Sequence, residues 1–438
     1  MQAAQKPDLA TCAFGAKIHE VDVERDVTYG LGGVGYDPAH GAKRQRELKL
    51  DIYRPRGVGP EPRPALILAF GGAFHRGSKS EEVFEGEAPS TAMAEYCREF
   101  ARRGYICFSI EYRLMQEDPD PGITPVLPAD LVFKSNRINY VRGILGLPPC
   151  TSQMLRNTIE ASTDDMSKAV AFVRNRAGAL GVDATRIAIG GFSAGGTIAL
   201  HAAFAELAPV AAVVVISGRI GPPLLGTCQR AGMAPPPVLL FHGDNDLPDI
   251  LESQEPMRAS MKELGIANEF WVAPGRGHFY VRNAEVVAKD GGATSDVETT
   301  MAAFLIDRLG LADPGAGKMT VDRLQAFADA WNRHDIDDLM SFMTDDCTFC
   351  ANGGSETYGT TFKGRAEVRR GYMEAWNVYP DAQWNNARHM ISGDRAFSEW
   401  VFTGTDRSGR RVEVAGCDLF VLRGDKIVVK NSFRKRPA

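Results

Sequence analysis

No run of this 438-residue sequence is apolar for long enough to cross a bilayer, and its opening, "MQAAQKPDLATCAFGAK", lacks the apolar core of a secretory leader. The expectation is a cytoplasmic protein without a membrane partner. Basic blocks and acidic tails are missing too: 50 Lys and Arg stand against 55 Asp and Glu, a formal net charge of −5. Nucleic acid is therefore not an expected partner. Cysteine is sparse, 8 residues with no regular spacing. Several lie in apolar runs, such as Cys107 in "YICFSIEY", which suits reduced, buried thiols better than a disulfide framework. Cys347 and Cys350 have CxxC spacing, but no second ligand pair follows them, so no metal is expected there. There is no internal repeat.

What is present is an alternation. "PALILAF", "ICFSIEYRL", "IAIGG", "AAVVVIS", "PVLLFHG" and "EFWVAP" read as mostly buried strands. "TAMAEYCREFARRG" and "TDDMSKAVAFVRNRAGALG" read as helices, the second with Met166, Ala169, Val170, Val173 and Ala177 on one face. Such alternation predicts an α/β domain with a largely parallel sheet over residues 1–312. Between Leu114 and Ser162 six prolines interrupt the rhythm. The stretch 114–162 is too long for a plain connection and reads as a cap-like excursion.

Residues 313–319 read as a linker, and the pattern then changes. Residues 320–438 hold the helical stretches "VDRLQAFADAWNRHDIDDLMSFM" and "GRAEVRRGYMEAW", then three long strands, the last being "RRVEVAGCDLFVLRGDKIVVKNSFR". That predicts a smaller α+β domain.

Three places concentrate chemistry. Ser193 sits in "GGFSAGG", after an apolar strand and before a helix. A serine held in such a turn projects its hydroxyl, and the flanking glycines spare it a clash with strand and helix. A serine needs a base, and a base needs an orienting carboxylate. His278 in "GRGHF" and Asp246 in "FHGDNDLPD" both follow apolar runs, where an α/β sheet gathers its polar groups. Asp244 and Asp249 are alternatives for the orienter. "AFGGAFHRGSK" places Gly71 and Gly72 after a strand, so the N–H groups of Gly72 or Ala73, with that of Ala194, are candidates for an oxyanion hole. His242 reads as a packing residue, and His75 as either pocket or structural. "GLGGVG" at 30–35 fits a dinucleotide fingerprint by letter, but no helix follows it. It reads as a loop between early strands.

Taken together and in this order, "AFGGAFHRGSK", "EYRL", "GGFSAGG", "FHGDND" and "GRGHF" make residues 25–310 resemble an α/β-hydrolase of the carboxylesterase/lipase group. Phe70 stands where that group's oxyanion loop usually has histidine. The resemblance implies hydrolysis of a carboxylic ester through an acyl-serine intermediate, with catalytic Ser193, Asp246 and His278 and no cofactor or metal.

"AWNRHDIDDLMSFMTDDCTF", "FKGRAEVRRG", "EWVFTGTDRSG" and "GCDLFVLRGDKIVVKNSF" make the C-terminal part resemble SnoaL-like members of the nuclear-transport-factor-like superfamily, a cone-shaped α+β fold. Asp418 falls where cyclases of that group keep a catalytic aspartate. It shares a strand face with Phe420 and Leu422, which gives it a place as a possible second site, though a satisfied carboxylate is the plainer reading. Trp376, Trp384 and Trp400 read as filling the cone. The expected whole is a serine esterase acting on a small-molecule ester, homodimeric through a C-terminal domain that could also complete the pocket. The rivals are a bifunctional hydrolase with cyclase or isomerase chemistry at Asp418, and a non-catalytic binding module.

Overall fold

Apolar runs bounded by glycine and proline form the inner strands of a ten-stranded sheet. The computed structural model describes residues 9, 12, 14–35, 42–80, 87–121, 127, 135–311 and 319–435. The chain divides into two compact units, Met1–Ala312 and Asp313–Ala438. Residues 313–318 of the expected linker lie outside the described residues, as do 122–126 and 128–134 of the expected excursion.

In the first unit the strands are β1 (Val21–Val34), β2 (Arg44–Pro55), β3 (Arg63–Ala69), β4 (Ile106–Ile110), β5 (Val182–Phe192), β6 (Ala212–Ile216), β7 (Val238–Gly243), β8 (Asn268–Ala273), β9 (Glu285–Ala288) and β10 (Thr294–Asp296). Their order is β1-β2-β4-β3-β5-β6-β7-β8-β9-β10. Neighbours from β4 to β8 run parallel. The strands at either edge pair antiparallel. Every residue of β4, β6 and β7 is buried, as expected for parallel strands covered on both faces. This is an α/β-hydrolase sheet with its chain reversals at the carboxyl ends of β3, β5, β6, β7 and β8.

Two expectations change here. "GLGGVG" is not a loop: Gly30 to Val34 close strand β1, paired residue by residue with Leu48 to Arg44 of β2. The helix foreseen from Thr163 starts earlier, at Ser152, and runs to Asn175. Thr151 caps it by accepting from the Met154 N–H. Within the excursion a second helix spans Asn136–Ile144. No helix among the described residues is long and apolar enough to cross a membrane.

The second unit is an α+β fold. Its six-stranded sheet has the order β12-β11-β16-β15-β14-β13, formed by β11 (Met343–Cys350), β12 (Thr361–Lys363), β13 (Gln383–Ser392), β14 (Arg395–Thr405), β15 (Arg411–Arg423) and β16 (Lys426–Arg434). Only β11 and β16 pair parallel; the rest are antiparallel. The last stretch read as one strand is a hairpin, turning at Gly424, where φ is 62°. The first helical stretch also divides, into Val321–Asn332 and Ile336–Ser341. His334 at φ 58° ends the first helix, and the Asp335 carboxylate caps the second. On β14 and β15 the buried face carries Trp400, Phe402, Asp418 and Phe420. The opposite face leaves Met390, Leu419 and Phe433 exposed.

Candidate active site

The turn between β5 and the helix Ala194–Phe204 holds Ser193 at φ 54°, ψ −112°, a conformation that costs an L-residue energy and persists only when its surroundings enforce it. Its neighbours explain how. A Cβ on Gly191 or Gly195 would collide with the backbone carbonyl of Ala69, so only glycine lets the elbow lie against the end of β3.

His278 and Asp246 come from the ends of β8 and β7. His278 Nε2 is 2.8 Å from Ser193 Oγ, and His278 Nδ1 is 2.6 Å from Asp246 Oδ1. A carboxylate can only accept, so Nδ1 carries the proton and Nε2 is free to receive one from the serine. Both His278 and Asp246 are buried. Burial pushes the Asp246 carboxyl up, but the His278 hydrogen bond and charge, with donation from Ser217 and the Leu247 N–H, bring it below the ordinary value. Asp246 therefore stays ionised beside the imidazole. Of the alternative orienters, Asp244 accepts from the Gly275 N–H in a surface turn, and Asp249 pairs with Arg219 at 2.9 Å. Neither bonds to His278. His242 packs with Nδ1 2.9 Å from the Gly243 carbonyl.

Ser217, at the end of β6, escaped the sequence reading. Its hydroxyl donates to Asp246 Oδ2 at 2.6 Å, with the Tyr280 hydroxyl 3.2 Å from it. Its signal was position: like the triad members, it directly follows a buried apolar run.

The loop after β3 carries three consecutive residues at positive φ: Gly72 at 115°, Ala73 at 55° and Phe74 at 61°. A Cβ on Gly72 would strike the Arg76 carbonyl. The N–H groups of residues 72, 73 and 74 donate to no acceptor among the described residues. Ala194 opens its helix, so its N–H has no intrahelical partner. Phe70 stacks on Tyr112 with ring centroids 4.4 Å apart, and the Tyr112 hydroxyl donates to the Phe70 carbonyl.

Two of the cavities in this unit share lining residues. One, about 350 Å³, is lined by Phe74 of the loop, Ile138, Leu155 and Ile159 of the excursion, Thr197 one turn after Ser193, and Ile220. The other, about 240 Å³, is lined by Arg137, Tyr140, Leu247 and Pro248, and shares Asp249 and Glu252 with the first. The Arg137 guanidinium also lies over the ring of Phe279, next to His278.

In the second unit Asp418 is buried and fully engaged. Lys430 Nζ donates to Oδ1 at 2.7 Å, joined by the Ser432 hydroxyl, and Trp400 Nε1 donates to Oδ2 at 2.9 Å. It borders a void of about 20 Å³, room for about one water. A separate cavity of about 330 Å³ is lined by Trp331, Phe349, Trp384, Trp400, Phe402 and Lys430. Trp384 and Trp400 thus wall this cavity while packing in the apolar core around Phe402, and Trp376 packs on Trp331, ring centroids 5.3 Å apart.

Residues 151–280 match the phospholipase/carboxylesterase family, and residues 324–430 match the SnoaL-like domain. Among curated relatives, mouse lysophospholipase-like protein 1 is 29% identical over 119 residues, 27% of this chain and 50% of that protein. The chain thus spans about half the length of this relative. Among solved structures, Thermogutta terrifontis esterase 2 phosphorylated by paraoxon is 20% identical, covers 67% of this chain and 96% of its own, and has a TM-score of 0.41. The same organism's esterase with propionate bound is 19% identical over 68% of this chain and 96% of its own, also at a TM-score of 0.41. The chain joins an α/β-hydrolase domain of phospholipase/carboxylesterase type to a C-terminal SnoaL-like domain.

Proposed function

We propose that the first unit hydrolyses carboxylic esters with Ser193 as nucleophile. The observation that carries this is the continuous chain Ser193 Oγ–His278–Asp246, at 2.8 and 2.6 Å, on a strained elbow beside a loop with unengaged N–H groups. Ser193 Oγ attacks the ester carbonyl while its proton passes to His278 Nε2. The carbonyl oxygen takes up negative charge and is held by N–H groups of Gly72 or Ala73 and of Ala194. The tetrahedral adduct collapses, the alkoxide leaves with the proton from Nε2, and an acyl-serine remains. Water, deprotonated by the same nitrogen, releases the acid and restores the hydroxyl. Asp246 stabilises the imidazolium in both halves.

The apolar lining of the 350 Å³ cavity, to which the excursion 114–162 lends Ile138, Leu155 and Ile159, supports its use for the acyl or alcohol group. A small-molecule ester with an apolar arm is the substrate this favours. The eight thiols, none of them in a disulfide, suit a cytoplasmic setting.

For the second unit we propose homodimerisation through the sheet face that exposes Met390, Leu419 and Phe433. Replacing Leu419 and Phe433 by glutamate should turn a dimer into a monomer by light scattering. A wild-type chain that is already monomeric contradicts this. The rival placing acid–base chemistry at Asp418 draws no support from a carboxylate held by three donors.

The test of the hydrolase reading is turnover of p-nitrophenyl esters from acetate to decanoate by wild type and Ser193→Ala. Turnover lost in the variant supports it; equal turnover in both overturns it.

A further inference from the structure

His75 has no place in the triad, yet it is buried in the loop after β3 and each ring nitrogen is used. Nδ1 is 2.7 Å from the Ala73 carbonyl, and Nε2 is 3.1 Å from Arg142 Nη1. A carbonyl only accepts and a guanidinium only donates, which fixes the tautomer. Nδ1–H donates to Ala73, and Nε2 accepts from Arg142. Burial lowers the imidazole's proton affinity, and Arg142 lowers it further against the pull of the Ala73 carbonyl, so the ring stays neutral as both bonds require. Arg142 belongs to helix Asn136–Ile144 of the excursion and is itself buried, its Nε donating to the Pro148 carbonyl.

The carbonyl that His75 holds lies in the strained part of the oxyanion loop. Gly72 O accepts from the His75 and Arg76 N–H groups, Ala73 O from His75 Nδ1, Phe74 O from the Met115 N–H, and His75 O from Gln116 Nε2. In a planar trans peptide the C=O of one residue and the N–H of the next point in opposite directions. Fixing the carbonyls of Gly72 and Ala73 therefore turns the N–H groups of Ala73 and Phe74 the other way, and neither donates to an acceptor among the described residues. Ala73 and Phe74 reach this state at φ 55° and 61°, which non-glycine residues adopt only under constraint.

We propose that His75 and Arg142 are positioning residues for the oxyanion hole. Arg142 holds the His75 imidazole, and His75 holds the Ala73 carbonyl, so that the N–H groups of Ala73 and Phe74 face the oxyanion of the Ser193 adduct. This rests on the serine-hydrolase reading and adds Phe74 N–H to the donors. It also ties the excursion to the chemistry. The helix that carries Arg142 lends Ile138 to the same cavity wall as Phe74, so the element that shapes the substrate pocket also sets the hole.

The experiment compares wild type, His75→Ala, His75→Asn and Arg142→Ala on p-nitrophenyl acetate, with inhibition by an alkyl trifluoromethyl ketone measured alongside. That ketone forms a tetrahedral adduct with the serine, so its Ki reports oxyanion stabilisation directly. His75→Ala should lower kcat about 30- to 100-fold while KM stays within about threefold, because the lost interaction acts on the transition state. The ketone Ki should rise by the same factor. His75→Asn, whose amide N–H falls near the place of Nδ1–H, should recover most of both. Arg142→Ala should show a smaller loss of the same kind, about 10-fold.

If wild type turns over and His75→Ala keeps kcat and Ki within about twofold, the inference is overturned and the hydrolase reading survives. A fall in kcat with unchanged Ki overturns it as well. Should His75→Ala fail to fold, the ketone Ki of His75→Asn and Arg142→Ala decides: values matching their kcat losses support it, and a mismatch overturns it. A wild type without turnover, and with Ser193 unlabelled by a phosphonate, overturns the hydrolase reading itself.

Discussion

At the scale of single residues, each member of the proposed triad would owe its role to what it is bonded to. Asp246 lies among Ser217, the Leu247 N–H and His278, and these hold it ionised where His278 needs a fixed negative partner. Asp246→Asn would keep the shape but offer an amide where Nδ1–H must donate. We expect kcat to fall about 10³- to 10⁴-fold with folding unaffected, checked by steady-state turnover and circular dichroism. Ser217→Ala removes one of several donors to the same carboxylate. A loss of about three- to tenfold in kcat/KM is the expected result. That Ser193, His278 and Asp246 would meet was legible because each follows an apolar run in chain order. His75 and Ser217 were not legible as partners. A hydrogen bond to a backbone carbonyl or a buried carboxylate leaves no spacing pattern in the sequence.

At the scale of elements, the inner strands were readable because parallel strands covered on both faces must be apolar throughout. β1 was not. Its run "VDVERDVTYGLGGV" is half exposed and charged, and its glycines imitate a phosphate loop. Only antiparallel pairing with β2 defines it. The final hairpin was hidden because "GD" at 424–425 is a short interruption in a long alternating pattern, and the φ of 62° at Gly424 is what turns the chain. The excursion was legible as a cap-like interruption, but the bounds of its helices, Asn136–Ile144 and Ser152–Asn175, were not. Their placement predicts a chain-length profile. With about 0.8 kcal/mol gained per buried methylene, kcat/KM should climb about fourfold per carbon until the cavity is filled. Leu155→Trp, which puts bulk into that wall, should end the climb at shorter esters, read from the same p-nitrophenyl series.

At the scale of the whole molecule, stability should depend on acidity through buried imidazoles. His201 lies inside its helix with Nδ1 2.7 Å from the Thr197 carbonyl, and burial pushes its pKa down to about 4. The unfolded chain takes up a proton near 6.5, whereas the folded one resists until about 4. The neutral imidazole's contribution is therefore fully present above pH 6.5 and lost as pH falls toward 4. By pH 5 the loss is about 2 kcal/mol, and His75 and His389, also lowered, act in the same direction. The thermal midpoint should fall on going from pH 7 to pH 5, and fall less in His201→Gln.

Whether Ser193 is a nucleophile is read from the intact mass of the protein after reaction with a p-nitrophenyl phosphonate ester. One phosphonyl group on the wild type, located on Ser193, with one equivalent of p-nitrophenol released, is the predicted result. The adduct should be absent from Ser193→Ala and form far more slowly on Asp246→Asn. No adduct on the folded wild type, or one that persists in Ser193→Ala, would contradict the account.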